Sequence, residues 1–242
     1  KIWDLDTGRL LSTLKGHTDW VTACAVTPDG RRMVSASWDR TLKVWDLDTG
    51  RVLATFGGHI PGVKTCTVTP DGQCVVLASW DGTLKAWDLD TGRVLDTFEG
   101  HVGAVSACAV TPDGRRVISA SGDRTLKLWN LASSHTLATF EGHTRGITAC
   151  AMTPDGRRAI STSFDRTLKL WDFDSGRVLA TFEGHTLGVK ACALTPDNRR
   201  AVSASDDKTL KLWDLDSGRV LAVFEGHTGW VTACTVTPNG RC

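Results

Sequence analysis

The stretch that decides the fold is GHTDWVTACAVTPDGRRMVSASWDRTLKVWDLDTGRVLATF, residues 16–56. It contains four short segments that combine β-branched or apolar residues with polar ones: Val21 to Val26, Arg32 to Ser37, Thr41 to Trp45 and Val52 to Phe56. Pro28, Asp29 and Gly30 separate the first two, and they favour a turn because Pro fixes φ and Gly accepts positive φ. Since nothing here has a helical period, the stretch predicts four β-strands joined by turns.

The same pattern recurs along the whole chain with a period of 42 residues. The Gly-His pairs place their histidines at His17, His59, His101, His143, His185 and His227. Trp-Asp pairs follow the same period at Trp3, Trp45, Trp87, Trp171 and Trp213, whereas Trp129 precedes Asn130. A four-stranded sheet this small cannot bury both of its faces, so we expect the units to stack on one another.

The length is ten residues short of six full units. We expect residues 1–242 to form a single domain that is a fragment of a longer chain. Its sixth unit lacks the stretch equivalent to Arg32 to Thr41.

Composition argues against several classes of protein. Lys and Arg number 28 and Asp and Glu number 27, a formal net charge of +1, so no charge excess favours nucleic acid or an acidic membrane. With 41% hydrophobic and 23% charged residues and no apolar run long enough to span a bilayer, the chain reads as an ordinary globular protein. We therefore expect neither nucleic acid nor a membrane as a partner.

Six of the eight cysteines share one repeat position in the first strand of each unit: Cys24, Cys66, Cys108, Cys150, Cys192 and Cys234. Because each belongs to a different unit, we interpret them as small core residues and not as a disulfide framework. Free buried thiols are typical of a reducing compartment, so they predict a cytoplasmic protein. No metal-ligand spacing is present, and we expect no metal and no cofactor.

Gly-His followed about thirty residues later by Trp-Asp, in units of about 42, resembles the WD-repeat (WD40) β-propeller family. The resemblance implies an all-β propeller of four-stranded antiparallel blades, here six units with an incomplete sixth blade; a seventh blade outside this sequence stays open. In the family each unit supplies the outer strand of one blade and three strands of the next. Gly8 to Leu14 and Val231 to Val236 would then share a blade and close the ring.

The resemblance also implies a buried His-Ser-Asp-Trp tetrad in each blade, in which donors and acceptors satisfy one another. We favour Ser37 over Ser35 as its serine, because the Ser35 position holds Leu77 in the second unit whereas Ser79 is retained. The tetrads would be His17, Ser37, Asp39 and Trp45; His59, Ser79, Asp81 and Trp87; His101, Ser121, Asp123 and Trp129; His143, Ser163, Asp165 and Trp171; and His185, Ser205, Asp207 and Trp213.

A hydrolytic triad would use the same residue types. Five copies argue against it, because a catalytic constellation needs one activated serine in one cleft. For the sixth blade only His227 and Trp3 remain.

Positions that differ between the units are the candidates for partner binding, since the shared residues build the blades. In the family these positions lie on the loops of one face, around the mouth of the channel. The candidates are Trp20, Trp38, Trp80, Trp230 and Phe164, with Lys64, Lys190, Asp206 and Arg145 as their polar complement. Each Trp could instead pack against its own blade. The enrichment of Trp among binding hot spots favours a partner surface.

We therefore expect a non-catalytic interaction scaffold or sensor domain that binds a protein or peptide, including other domains of the same longer chain. One alternative is a propeller enzyme or small-ligand binder that uses the central channel. Its singular candidate is His135, which replaces an arginine in a drifted turn. A second alternative is a single-stranded nucleic-acid platform of Trp and Lys, which the near-zero net charge opposes.

Overall fold

The computed structural model describes residues 1–57 and 62–237. All regular secondary structure in this part is β-strand. The strands of the first two units are β1 (Ile2–Trp3), β2 (Leu10–Ser12), β3 (Val21–Val26), β4 (Arg32–Ser37), β5 (Thr41–Asp46), β6 (Val52–Gly57), β7 (Val63–Val68), β8 (Cys74–Ser79), β9 (Leu84–Asp88) and β10 (Val94–Phe98). Those of the third to fifth units are β11 (Val105–Val110), β12 (Arg116–Ser121), β13 (Thr125–Asn130), β14 (Thr136–Glu141), β15 (Ile147–Met152), β16 (Arg158–Ser163), β17 (Leu168–Asp172), β18 (Val178–Phe182), β19 (Val189–Leu194), β20 (Arg200–Ser205), β21 (Leu210–Asp214) and β22 (Val220–Phe224).

The described strands form five four-stranded antiparallel sheets and one two-stranded sheet. Each large sheet takes four consecutive strands in chain order, and we call them blades one to five: β3–β6, β7–β10, β11–β14, β15–β18 and β19–β22. β1 pairs with β2 alone. The four strands predicted from residues 16–56 are β3 to β6, so the predicted all-β propeller of antiparallel blades is confirmed.

Consecutive blades pack face to face through their innermost strands, β3 on β7, β7 on β11, β11 on β15 and β15 on β19. Between them lie apolar clusters that draw residues from both blades. Trp129 of blade three, for example, packs on Leu84 and Phe98 of blade two, with the Phe98 and Trp129 rings 5.8 Å apart and nearly perpendicular. Fully burying one such aromatic side chain contributes about 1.5–3 kcal/mol, which explains why the units stack.

Because the strands are antiparallel, the connections alternate between two ends of each blade. The β4–β5 connection around Trp38 and the residues before β3 lie together at one end, as the hydrogen bond from Trp38 N to Trp20 O at 2.9 Å shows. We call this end the loop face. The Thr27–Gly30 turn and the Asp46–Gly50 turn lie at the opposite end, where Arg32 pairs with Asp46.

In the described residues, blade one and blade five each have one face that no further blade covers. Val21 of blade one is 54% exposed, whereas its equivalent Val63 is 3% exposed, and Phe224 of blade five is 39% exposed. Residues 231–237 form no strand, although Val231 N donates to Ser205 O at 3.1 Å.

The expected ring-closing blade is therefore not formed in the described residues. Its predicted outer strand pairs only with β1, and among the described residues no strand pairs with Val231 to Val236. Trp3 is consequently half exposed, and His227 is exposed as well, so neither is part of a buried tetrad. The prediction of an incomplete sixth blade is confirmed.

Candidate functional site

Each of four blades holds a buried chain of hydrogen bonds. In blade three, Trp129 Nε1 donates to Ser119 Oγ at 2.8 Å, Ser119 Oγ lies 2.7 Å from His101 Nε2, and His101 Nδ1 lies 2.7 Å from Asp123 Oδ2. With Nδ1 donating to the carboxylate, Nε2 accepts the serine proton, and all groups are satisfied. The equivalent chains are His17, Ser35, Asp39 and Trp45; His143, Ser161, Asp165 and Trp171; and His185, Ser203, Asp207 and Trp213.

The choice of the second serine of each strand was wrong. The serines that join histidine to tryptophan are Ser35, Ser119, Ser161 and Ser203, not Ser37, Ser121, Ser163 and Ser205. The reason is register: Met33 pairs with Trp45, which puts Ser35 within reach of the indole and Ser37 at the end of the strand.

The second serines have another role, which the sequence did not suggest. Ser37 Oγ donates to Asp19 O at 3.1 Å and accepts Asp39 N at 3.2 Å. Ser163 Oγ lies 3.0 Å from both Arg145 O and Gly146 O. These serines fasten the backbone of the segments that carry the variable loop-face residues.

Blade two departs from the pattern. Leu77 fills the position of the bridging serine, and Trp87 Nε1 is buried with no hydrogen-bond partner in the described part of the chain. Ser79, predicted for this tetrad, lies at the strand end, where its Oγ accepts Asp81 N at 3.5 Å. The predicted tetrad member His59 lies outside the described residues.

Burial and hydrogen bonds set the charge states of the tetrad histidines and aspartates. It lowers the pKa of His101, His143 and His185, against the opposing influence of the paired aspartates. Burial alone would raise the pKa of Asp207, but hydrogen bonds from Thr209, His185 and Thr186 outweigh it and lower the pKa to about 2. At neutral pH the tetrads of blades three to five therefore combine neutral histidine with ionised aspartate. Because Ser119, Ser161 and Ser203 are fully buried, no substrate can reach their hydroxyl groups.

Four tryptophans of the loop face are exposed, and we call them the aromatic sector: Trp20 (74%), Trp38 (46%), Trp80 (61%) and Trp230 (71%). The rings of Trp20 and Trp38 lie 5.7 Å apart at 43°, so these two form one surface. Trp80 occupies the Trp38 position in blade two, where its backbone N donates to Gly62 O at 3.1 Å. Trp230 makes no ring contact with the other three among the described residues.

On the loop face, three further predicted residues of blades four and five lie together. Lys190 Nζ lies 3.2 Å from Asp206 Oδ2 and 4.2 Å from the centroid of the Phe164 ring, which combines an ion pair with a cation–π contact. Asp206 Oδ1 is buried without a donor in the described part of the chain.

The charge of Lys190 in blade five acts on Lys64 in blade two. Burial lowers the pKa of Lys64, and the charge of Lys190 lowers it further. Both are the second residue of an innermost strand.

Arg145 lines a groove between blades four and five together with Phe164, Arg166 and Leu187. Arg166 does not stand out in the sequence, because the same repeat position holds Arg40 and Arg124 in other units. Leu187 did carry a signal, since it occupies the Arg145 position in the next unit.

Residues 1–57 and 62–237 contain no group of three or more His, Cys, Asp or Glu side chains that could hold a metal ion. They also contain no helix with the length and apolar character needed to cross a membrane.

Similar stretches occur in several known proteins. Nuclear distribution protein PAC1 of Arthroderma benhamiae is 49% identical over 43 residues, which is 18% of this chain and 9% of that protein. The periodic tryptophan protein 2 homolog of Neurospora crassa is 48% identical over 42 residues, 17% of this chain and 5% of that protein. Autophagy-related protein 16 of Arabidopsis thaliana is 49% identical over 43 residues, 17% of this chain and 8% of that protein. Each match spans about one repeat and less than a tenth of the relative's length.

The model of the family described as "WD domain, G-beta repeat" matches six segments: residues 8–46, 50–88, 92–130, 134–172, 176–214 and 218–242. These segments cover nearly the whole chain and follow the 42-residue period. The chain therefore belongs to the WD-repeat (WD40) family.

Proposed function

We propose that this protein is a non-catalytic interaction domain that binds a protein or peptide on its loop face through the aromatic sector. The observation that carries the proposal is the contrast between two sets of tryptophans. Trp45, Trp87, Trp129, Trp171 and Trp213 are at most 3% exposed, whereas those of the aromatic sector are 46–74% exposed. Exposed indoles at corresponding loop positions do not serve the core, and Trp is the residue most typical of binding hot spots.

The family supports the general part of this proposal. WD-repeat domains are in general non-catalytic scaffolds for protein interactions. The identity of the partner and the residues that contact it are specific to this chain, and both are part of the proposal.

The Trp20–Trp38 pair is held in place before any partner arrives. Trp38 N donates to Trp20 O, Trp20 N donates to Asp19 Oδ1 at 2.7 Å, and Ser37 Oγ donates to Asp19 O. A surface that is already ordered loses little conformational entropy on binding, which favours affinity. Truncating an indole at such a hot spot typically costs about 2 kcal/mol or more.

Lys64, Lys190, Asp206, Arg145 and Phe164 would provide the polar and flanking contacts around the aromatic sector. We also place the protein in the cytoplasm, because its described cysteines are free thiols, which is typical of a reducing compartment.

The test is selection of binding peptides from a random-peptide display library. The wild type should enrich a peptide family, and the variant with Trp20→Ala, Trp38→Ala and Trp80→Ala should lose it while its thermal unfolding midpoint moves by only a few degrees. A matched control replaces the exposed outer-strand residues Leu53, Leu95 and Leu179 by alanine, which should preserve binding. Equal binding by the Trp variant, or its unfolding, would contradict the proposal.

A further inference from the structure

A groove opens on the loop face between blades four and five. Its volume is about 490 Å³, and it is lined by Thr144, Arg145, Phe164, Asp165, Arg166, Thr186, Leu187 and Gly188. Phe164 and Leu187 are about half exposed, so they offer an apolar surface to a ligand. Arg145 and Arg166 lie on the same groove and are both exposed. The groove therefore combines an apolar surface with two guanidinium groups.

Neither guanidinium group forms an ion pair among the described residues. The one carboxylate of the lining, Asp165, is already occupied. It accepts His143 Nδ1 at 2.7 Å, Thr144 N at 3.0 Å, and Thr167 N and Oγ1 at 3.0 and 2.7 Å. Glu183 lines a neighbouring recess with Arg166 but lies beyond ion-pair distance of any cation in the described part of the chain. The groove thus carries two exposed guanidinium groups that no carboxylate of the described residues neutralises.

The apolar side of the groove is positioned by small and charged neighbours. A Cβ at residue 188 would approach Phe164 Cδ1 at 3.0 Å, so Gly188 leaves the space that the ring occupies. The ammonium group of Lys190 lies 4.2 Å from the ring centroid and is itself held by Asp206. Phe164 is therefore ordered without a ligand.

This combination occurs at one junction of the described blades. The Arg145 position holds Asp19, Gly103 and Leu187 in other units, and the residue before the tetrad aspartate is Gly122 in blade three. Arg124 shares the turn position of Arg166 and its backbone conformation, with φ of 75° against 74°, but lacks an aromatic neighbour and a second arginine. The groove is thus specific to blades four and five.

We propose that this groove binds an acidic segment of the protein partner, with an Asp or Glu side chain held by Arg145 and Arg166 and an adjacent apolar side chain on Phe164 and Leu187. Guanidinium groups pair with carboxylates through charge-assisted hydrogen bonds, which are stronger than neutral ones. The proposal rests on the proposed function, and it adds a second contact of defined chemistry beside the aromatic sector.

The test uses the same random-peptide library and then fluorescence anisotropy with the most enriched peptide, labelled with fluorescein, and a counterpart with amides in place of its carboxylates. The enriched peptides should contain Asp or Glu next to an apolar residue. The double variant Arg145→Glu/Arg166→Glu should bind the acidic peptide at least about tenfold more weakly. The control Arg124→Glu, a charge reversal at the matched position of blade three, should bind as the wild type does.

The outcomes separate this inference from the proposed function. If the amide peptide binds equally well, or the double charge reversal has no effect, while the Trp20, Trp38 and Trp80 alanine variant loses binding, the acidic-segment proposal is wrong and the aromatic sector stands. If no peptide is enriched, both proposals fail. Displacement of the acidic peptide by inorganic phosphate or a single-stranded oligonucleotide at equal ionic strength would mark a phosphate site and overturn the inference.

Discussion

Leu77 stands in blade two where a serine accepts the indole N–H in four other blades, and the Nε1 atom of Trp87 is buried without an acceptor among residues 1–57 and 62–237. Trp129 of the next blade has the same burial and repeat position but donates to Ser119 at 2.8 Å. The two tryptophans therefore allow a comparison between a buried indole N–H that has a hydrogen-bond acceptor and one that has none among the described residues.

Trp87→Phe should destabilise the protein less than Trp129→Phe does. Both substitutions remove the same volume from a buried site, but only Trp129→Phe breaks a hydrogen bond and leaves the Ser119 hydroxyl with one partner fewer. An unsatisfied buried group costs about 1–3 kcal/mol, so we expect a difference of that size in the free energy of unfolding. Urea denaturation of the two variants measures it, and Trp171→Phe should match Trp129→Phe. Equal losses for all three would contradict the account of blade two.

Acidification should lower the free energy of unfolding from about pH 7 downwards. In the unfolded chain the tetrad histidines take up protons near their ordinary pKa of 6.5, whereas in the folded protein burial lowers the pKa of His101, His143 and His185. The unfolded state then binds more protons, and stability falls as the pH drops through that value. Asp207, whose folded pKa is about 2, adds a second loss below its ordinary 3.8. The measurement is the unfolding midpoint in urea against pH.

The variant His101→Gln serves as the control for this pH dependence, since it removes one of the three buried imidazoles. Its stability should be lower, and its slope near neutral pH should be shallower than that of the wild type. A wild-type profile that stays flat from about pH 8 to about pH 5 would contradict the charge states assigned to the tetrads.

The cysteines of the inner strands should differ sharply in reactivity. Burial raises the pKa of Cys66 and Cys150 to about 12 and that of Cys108 and Cys192 well above its ordinary value. Since the thiolate is the nucleophile, these four should resist iodoacetamide at neutral pH until the protein is unfolded. Cys24 is exposed and should be labelled in the folded state, which peptide mapping by mass spectrometry can show. Labelling of Cys108 before Cys24 would argue against the packing of the blades.

Lys64→Thr should stabilise the fold. Ser106 and Thr148 occupy the same repeat position, and their hydroxyl groups donate to the backbone of the next blade, at Ile147 O (2.6 Å) and Val189 O (2.5 Å). A threonine at position 64 can form the equivalent bond, for a gain of about 1 kcal/mol, and it removes a cation whose pKa is lowered by burial and by Lys190. Lys190→Thr should give no gain, because Asp206 then loses its ion-pair partner. Urea denaturation compares the two, and a less stable Lys64→Thr variant would contradict this reading.

The strands could be predicted from the sequence because turn residues and alternation of polarity act locally. The absence of a strand at Val231 to Val236 could not be predicted from the sequence. Whether this segment forms a strand depends on a neighbouring strand and not on its own residues. The exposure of Cys24 could not be predicted for the same reason. Its repeat position predicts a core thiol, but no strand covers that side of β3 in the described residues.

The bridging serine was missed for a geometric reason. Ser35 and Ser37 are two residues apart on one strand and point to the same face, so alternation cannot separate them. The pairing of Met33 with Trp45 decides which serine reaches the indole. This register depends on two strands and cannot be deduced from one. Leu77 at the Ser35 position of blade two made that position look unsuited to the tetrad, but it marks a blade that lacks the bridging serine and leaves Trp87 Nε1 without a partner among the described residues.

The exposure of the candidate partner residues could be predicted, because loop residues that differ between near-identical units are free of the demands of the core; their contact with a partner stays a prediction. Trp20, Trp38, Trp80 and Phe164 are all exposed. Arg166 could not be found in this way, since its position is basic in several units and only its neighbours Phe164 and Leu187 make it distinctive.

The most direct test of the central claim is oxidative footprinting of the tryptophans with and without a saturating selected peptide. We expect Trp20, Trp38 and Trp80 to be oxidised readily in the free protein and to become protected in the complex, while the oxidation of Trp3, which is exposed but lies outside the aromatic sector, does not change. Protection of Trp3 with unchanged oxidation of Trp20, Trp38 and Trp80 would contradict it.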